Sequence, residues 1–263
     1  MSSVKRLFFD LEVSGNLCDV WECGRKIFVS PDSIVRERVI ICACWKWEGK
    51  KKVHSIKWDW DNNLGCDKKI VIKLAEIMNE ADEIVAHFGD AFDVRWMKGR
   101  NLFHHLDPLP VYKTYDTCKV ARKHFKLNSY KLDYICNFLF GAGKDKTSYD
   151  MWKKISSSND SVSMRKMVRY CQKDVSLVER LYHEETKYEP SRVHAGVVGG
   201  LARWTCPHCG SEEVALSKTR ITPKGMVQKQ MQCNDCHRYY SIADSVFARY
   251  LVVKNRENSN ARA

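Results

Sequence analysis

Apolar positions along this chain fall into short runs that switch between a period of two and a helical period. "KRLFFDLEVSG" (5–15) is an apolar strand ending in acids and glycine. "RVIICACWKW" (38–47) is apolar at almost every position, as a strand buried on both faces requires. "KKVHSIKW" (51–58) alternates and is placed to pair with it across the turn Glu48-Gly49-Lys50. In "DKKIVIKLAEIMNEA" (67–81), Ile70, Leu74, Ile77 and Met78 form a helical stripe. "EIVAHF" (83–88) returns as a strand, 92–105 as a helix and "PVYKTYDT" (110–117) as a strand. Helices follow over 118–125 and 129–141, the second stopped by Gly141. A loop then leads to a long amphipathic helix over 161–185. Strands that come first as a meander and then alternate with helices predict an α/β fold, a mixed sheet with helices on its faces. Residues 189–203 hold a proline and three glycines without periodicity, which marks a linker between a domain over 1–188 and a smaller one over 204–245. A basic tail is expected over 246–263, and no internal repeat is visible.

Composition adds a partner. The hydrophobic fraction of 44% is ample for a core. No run of about eighteen apolar residues exists to span a membrane. The N-terminus moves straight into a strand-like run rather than a signal peptide, so the expected setting is cytoplasmic, in a microbe or a phage-infected cell. The net charge of +12 favours a polyanionic partner, most simply nucleic acid. Residues 187–263 carry 12 basic and 6 acidic side chains, hence +6, as much as the far longer stretch before them. Twelve cysteines in a chain of this size and setting point to metal binding and buried thiols rather than disulfides.

Four of those cysteines are spaced for a metal. "CPHC" (Cys206, Cys209) and "CNDC" (Cys233, Cys236) fit a tetrahedral four-thiolate zinc site, because each x₂ knuckle can aim two sulfurs at one ion. The segment between them reads as two strands joined at Pro223-Lys224-Gly225, giving a zinc ribbon with one structural Zn²⁺. His208 and His237 lie beside the ligands and could substitute, but four Cys complete the shell. Lys218, Arg220, Lys224 and Lys229 with Tyr239 and Tyr240 would suit phosphate contact and base stacking, against the plainer reading of a solvated basic face. Cys42, Cys44 and Cys171 read as small core residues; Cys18 and Cys23 have no evident partners.

The second piece of chemistry is acidic. Asp10 and Glu12, two apart at the end of a strand, share one face, where two like charges are costly without a counter-ion. Asp93 starts a helix just after a strand, and Asp174 projects from the long helix one turn after Tyr170 in "YCQKDV". Each alone is weak, since such acids are commonly caps or solvated. Four acids from three separate segments could converge beside the sheet, and oxygen-rich clusters of this kind bind Mg²⁺ or Mn²⁺.

"FFDLEVSG", "HFGDAFDVRWM" and "YCQKDV" together resemble the three exonuclease motifs of the DEDDy 3′–5′ exonucleases, which include the proofreading domains of family B DNA polymerases. The resemblance covers residues 6 to about 185, and with the ribbon it is similar to stand-alone exonucleases of bacteriophages. It implies a ribonuclease H-like fold, two Mg²⁺ (or Mn²⁺) and release of nucleoside 5′-monophosphates from a 3′ end. It implies that Asp10, Glu12, Asp93 and Asp174 hold the ions and that Tyr170 orients the attacking water. Single-stranded DNA is the favoured substrate, with RNA possible, and a replication or recombination protein is a candidate partner. The alternatives are a non-catalytic nucleic-acid adaptor, a structure-specific endonuclease and an RNA exonuclease. The chain departs from the pattern at Phe88, where the polymerase motif commonly has Asn. Phe88 either stacks on a base of the substrate or faces the core, and position alone favours the core.

Overall fold

The computed structural model describes residues 4–22, 24, 27–62, 64–143 and 148–260. Cys23 lies outside the described residues. The chain divides into a unit over Lys5–Glu185 and a second that starts at Thr186 and includes Val4.

In chain order the first unit holds β1 (Arg6–Val13), β2 (Leu17–Cys18), β3 (Ile34–Arg36), β4 (Ile40–Trp47), β5 (His54–Lys57), β6 (Asp59–Asp61), β7 (Leu64–Cys66) and α1 (Lys68–Glu80). It continues with β8 (Glu83–Ala86), α2 (Asp93–Phe103), β9 (Lys113–Asp116), α3 (Thr117–His124), α4 (Leu132–Phe140), α5 (Tyr149–Ser158) and α6 (Ser161–Glu185). The main sheet has the order β5-β4-β1-β8-β9. β1 pairs antiparallel with β4 and parallel with β8, so the sheet is mixed and β1 is central. Leu7, Phe8 and Phe9 are fully buried for that reason: neighbours flank the strand on both edges and its faces are covered. Each such side chain stabilises by roughly 1.5–3 kcal/mol. On α6, Met167, Cys171, Val175, Val178 and Leu181 form a buried stripe at helical spacing, and Asp174 lies within it.

Buried charges are paired where they serve the frame. Asp67 accepts hydrogen bonds from the Ile40 N–H (2.9 Å), from Arg100 Nε and Nη2 (2.7 and 2.9 Å), and lies 2.6 Å from His104 Nε2, tying the start of β4 to α2. Burial alone would raise the Asp67 carboxyl, but these partners hold it below its ordinary value.

The structure adds several short elements that the sequence reading leaves out, and differs from it most at two helices. The expected loop before α6 contains α5, which buries only Ile155 and ends at Asn159 in the left-handed region (φ 49°). The expected C-terminal tail is helical from Asp244 to Asn260 (α8), because Phe247 and Tyr250, at helical spacing, pack beside Trp204.

The second unit holds the single-turn α7 (Ala195–Val198), a three-stranded antiparallel sheet of β10 (Val214–Ile221), β11 (Val227–Cys233) and β12 (Tyr239–Ala243), and α8. Gly225 turns β10 into β11 at φ 78°, a conformation that glycine adopts without steric cost. Among the described residues no helix is long and apolar enough to cross a membrane.

Candidate active site and cysteine cluster

Strand register brings the acids together. In the β1–β4 ladder Asp10 stands opposite Cys44 and Glu12 opposite Cys42, so both acids point to one face. α6 crosses that face. Cys171 Sγ lies 3.4 Å from the Asp10 carbonyl oxygen and Cys44 Sγ 3.7 Å from that of Val168. Small thiols at the crossing let helix and sheet approach closely, which delivers Asp174 to the strand end. One carboxylate oxygen from each of Asp10, Glu12 and Asp174 lies within 4.8 Å of the others. Asp174 is 1% exposed. At an effective dielectric of 20 each pair of charges at such a distance costs ~3–4 kcal/mol.

Asp93 stands beside this trio but is not one of the three clustered oxygens. It is buried at the first position of α2, and its Oδ1 accepts the Leu11 N–H at 3.2 Å. Burial, and then the charge of Asp10, push the Asp93 carboxyl well above the ordinary carboxylate range. Like charges confined this way are relieved by a cation, which lowers the cost of ionising every member. An all-oxygen carboxylate set suits a hard divalent ion such as Mg²⁺ or Mn²⁺. Tyr170 lies one turn before Asp174 on the same side of α6, half-buried, its ring edge-on to Trp152 at 6.4 Å.

Phe88 does not face the core. It is 43% exposed, and its φ of 63° is a left-handed conformation that costs a bulky residue of order 1–3 kcal/mol. Asp116 holds the strained turn: its carboxylate accepts the N–H groups of Phe88 (3.0 Å) and Asp90 (3.2 Å) and also those of Cys118 and Lys119 at the start of α3. The Arg122 guanidinium lies 5.9 Å from the Phe88 ring centre and 5.6 Å from that of Tyr130. His87 is 2.9 Å from both Thr117 Oγ1 and the Tyr130 carbonyl oxygen. Phe8 pairs with Val85 in the parallel ladder, and His87 follows directly after β8 ends at Ala86. Asp116, Arg122 and Tyr130 have no place in the sequence reading. An aspartate directly before a helix signals an N-cap, but nothing local signals its bonds to a turn 28 residues away.

In the second unit one sulfur from each of Cys206, Cys209, Cys233 and Cys236 lies within 4.8 Å of the others. Cys206 and Cys236 are 3.6 Å apart, as are Cys209 and Cys233. That separation is too long for a disulfide and close to the ~3.8 Å edge of a tetrahedron with Zn–S of ~2.3 Å. Burial pushes the Cys206 thiol up and Cys209 up to about 11, while hydrogen bonds lower Cys233. His208 is turned to Arg238, with its Nδ1 3.1 Å from Nη1.

The expected nucleic-acid contacts divide. Lys218, Arg220, Lys224 and Tyr239 are exposed. Lys229 is already engaged, 3.3 Å from Asp244 Oδ1, 3.2 Å from Thr219 Oγ1 and over the Phe247 ring at 5.3 Å. Tyr240 corrects the sequence reading: it is buried and its hydroxyl donates to the Trp204 carbonyl at 2.6 Å. Alternation along β12 puts Tyr239 outside and Tyr240 inside, so only one of the adjacent rings can meet a base.

A family model described as the RNase_H superfamily matches residues 35–185, more than half of the chain. The chain belongs to the RNase_H superfamily. Among solved structures this RNase_H chain is similar to the family B DNA polymerase of the hyperthermophilic archaeon Pyrobaculum calidifontis, with a TM-score of 0.54 and 13% identity. The similarity covers 71% of this chain and 25% of the polymerase, so the chain spans about a quarter of that relative's length. At this identity the likeness is one of fold. No curated protein matches the chain.

Proposed function

We propose that the chain is a metal-dependent nuclease of the tyrosine subclass of 3′–5′ exonucleases, hydrolysing single-stranded DNA in preference to RNA and releasing nucleoside 5′-monophosphates. The observation that carries this reading is the convergence of Asp10, Glu12 and Asp174 within 4.8 Å on one sheet face, with Tyr170 one helical turn away. The superfamily membership and the fold shared with a DNA polymerase support it.

Asp10, Glu12 and Asp174 would hold two divalent cations, with Asp93 supporting one of them. Such ions supply a nucleophilic water at neutral pH and charge stabilisation for the leaving oxygen. The remaining work falls to the chain. The Tyr170 hydroxyl orients the attacking water, and Trp152 fixes its ring. Phe88, held outward by Asp116, offers a face on which the terminal base stacks. The cysteine cluster would hold one structural Zn²⁺, and the exposed Lys218, Arg220, Lys224 and Tyr239 would contact the nucleic acid.

The test uses 3′-end-labelled and 5′-end-labelled DNA and RNA with Mg²⁺ or Mn²⁺. Mononucleotides should appear first from the 3′-labelled strand. Asp10→Ala and Asp174→Ala should abolish release while strand binding persists, and Tyr170→Phe should slow it by ~10²-fold or more with cation binding kept. Full activity in either aspartate variant would sink the reading.

A further inference from the structure

A groove of about 440 Å³ runs along the edge of the first unit between β5 and the N-terminal half of α6. Met164 and Val168 contribute its apolar part, and Lys57, Arg165 and Arg169 its charge. These three cations are exposed, and among the described residues none of them forms an ion pair or a side-chain hydrogen bond. Elsewhere in this unit cations are commonly matched to acids: Lys46 to Glu179, Lys69 to Asp59, Lys73 to Glu76, Lys119 to Asp90 and Lys154 to Asp150.

The groove is in line with the acidic cluster. Glu12 pairs with Cys42 and Cys42 with Lys57, so the three stand in one row across β1, β4 and β5 and point to the same face. Two strand spacings separate Lys57 from Glu12 at the backbone, ~10 Å. Along α6, Arg165 and Arg169 are one turn apart, and the same stripe continues to Lys173, next to Asp174. The stripe is ~12 Å long, with a charge every ~6 Å. Like charges at i and i+4, here Arg165 and Arg169, weaken a helix, and among the described residues that line the groove there is no acid beside them. A regular row of cations over an apolar floor, ending at a hydrolytic carboxylate cluster, matches a polyanion whose charges are also regularly spaced and whose sugars are partly apolar.

We infer that this groove binds the sugar–phosphate backbone of a nucleic-acid strand beyond the nucleotide held at Asp10, Glu12 and Asp174. The inference rests on the nuclease reading for the direction of the strand, but not for the binding itself. Each phosphate neutralised in a single strand adds ~0.7 to the slope of log Kd against log salt, so three contacts add about 2.

The experiment measures binding of a fluorescein-labelled oligothymidylate of ~16 nucleotides to the full chain over a salt series without added divalent cation. The combined variant Lys57→Gln, Arg165→Gln, Arg169→Gln should bind more weakly, with the slope reduced by about 2. A dinucleotide, too short to span from the acids to the groove, should bind wild type and variant alike. The control Lys69→Gln, Lys73→Gln, which removes paired cations beside a separate groove, should leave the slope unchanged. An unchanged slope in the triple variant, an equal loss in the control, or no binding by wild type would overturn the inference. So would displacement of the oligonucleotide by polyglutamate at matched charge, which would make the groove a site for acidic protein. Groove-dependent binding without hydrolysis would keep the groove and defeat the nuclease reading; hydrolysis with an unaltered slope would do the reverse.

Discussion

At the scale of single residues, two sets of acids in this chain lie half-buried or deeper in the fold. Asp10 and Glu12, half-buried, share a neighbourhood with the buried Asp93 and Asp174 in which a cation would offset their repulsion. Glu185, at the end of α6, does not. It is 1% exposed, and neither carboxylate oxygen has a hydrogen-bond partner among the described residues. Burial, and then the charge of Asp116, push it up to about 9, and Cys118 feels its charge in turn. In the unfolded chain a glutamate titrates near ~4.3. Because the folded value is the higher one, the native state holds the proton more tightly. The corresponding stability is complete below the unfolded value and is lost as pH rises through about 9, at ~1.4 kcal/mol per pH unit. Glu185→Gln keeps the shape and removes the titration. Its unfolding free energy should decline less than that of wild type between those two values, as denaturant titrations at several pH would read. Parallel pH curves would refute this account.

At the scale of elements, the turn between β8 and α2 combines backbone strain with an exposed aromatic ring. Phe88 sits in a left-handed conformation that no glycine relieves, and Asp116 fastens the turn while capping α3. Phe88→Gly should therefore raise thermal stability, by about 1 kcal/mol or somewhat more, while weakening strand binding several-fold. Calorimetry and a KM measurement together read both effects. A variant that loses stability, or one that binds as wild type does, would show that the ring serves the fold rather than the substrate. The same element explains what sequence could not supply. Asp116 is legible as a helix cap, but its hold on Phe88 depends on β8 and β9 lying side by side. Exposure of Phe88 likewise follows from a backbone conformation that side-chain type does not encode. The sequence reading omits α5 although Met151, Trp152 and Ile155 share one face; only Ile155 of the three is fully buried, so the helix adds little to the core.

At the scale of the whole molecule, two units rest on different physics. Lys5–Glu185 has a large apolar core around β1 and α6. The second unit has a small one, formed by residues such as Trp204, Met231, Tyr240 and Phe247, beside the four clustered cysteines. A core of that size is marginal without a staple, and a bound metal supplies one through its ligand bonds. Prolonged treatment with a zinc chelator, or Cys233→Ser, should unfold the second unit and leave the transition of the first in place. Hydrogen exchange resolved by segment would distinguish the two units: protection lost in β10–β12 and retained in β1 and α6 is the expected pattern. Loss in both units at once would mean that the metal is not a local staple.

The sequence alone determined the features that rest on spacing within one element. Period two on β1 aligned Asp10 with Glu12, a one-turn offset on α6 joined Tyr170 to Asp174, and two CxxC knuckles marked the thiol site. These are local because a strand or a helix fixes side-chain direction within a few residues. Tertiary structure decided the rest. It drew Asp174 to within 4.8 Å of the strand acids, left Asp93 bonded to the Leu11 N–H beside them, and turned Tyr240 inward. It also set Lys57 in the row of Glu12. Each of these depends on which strands are neighbours and in what register, and register is settled by how the whole apolar core packs rather than by any one segment.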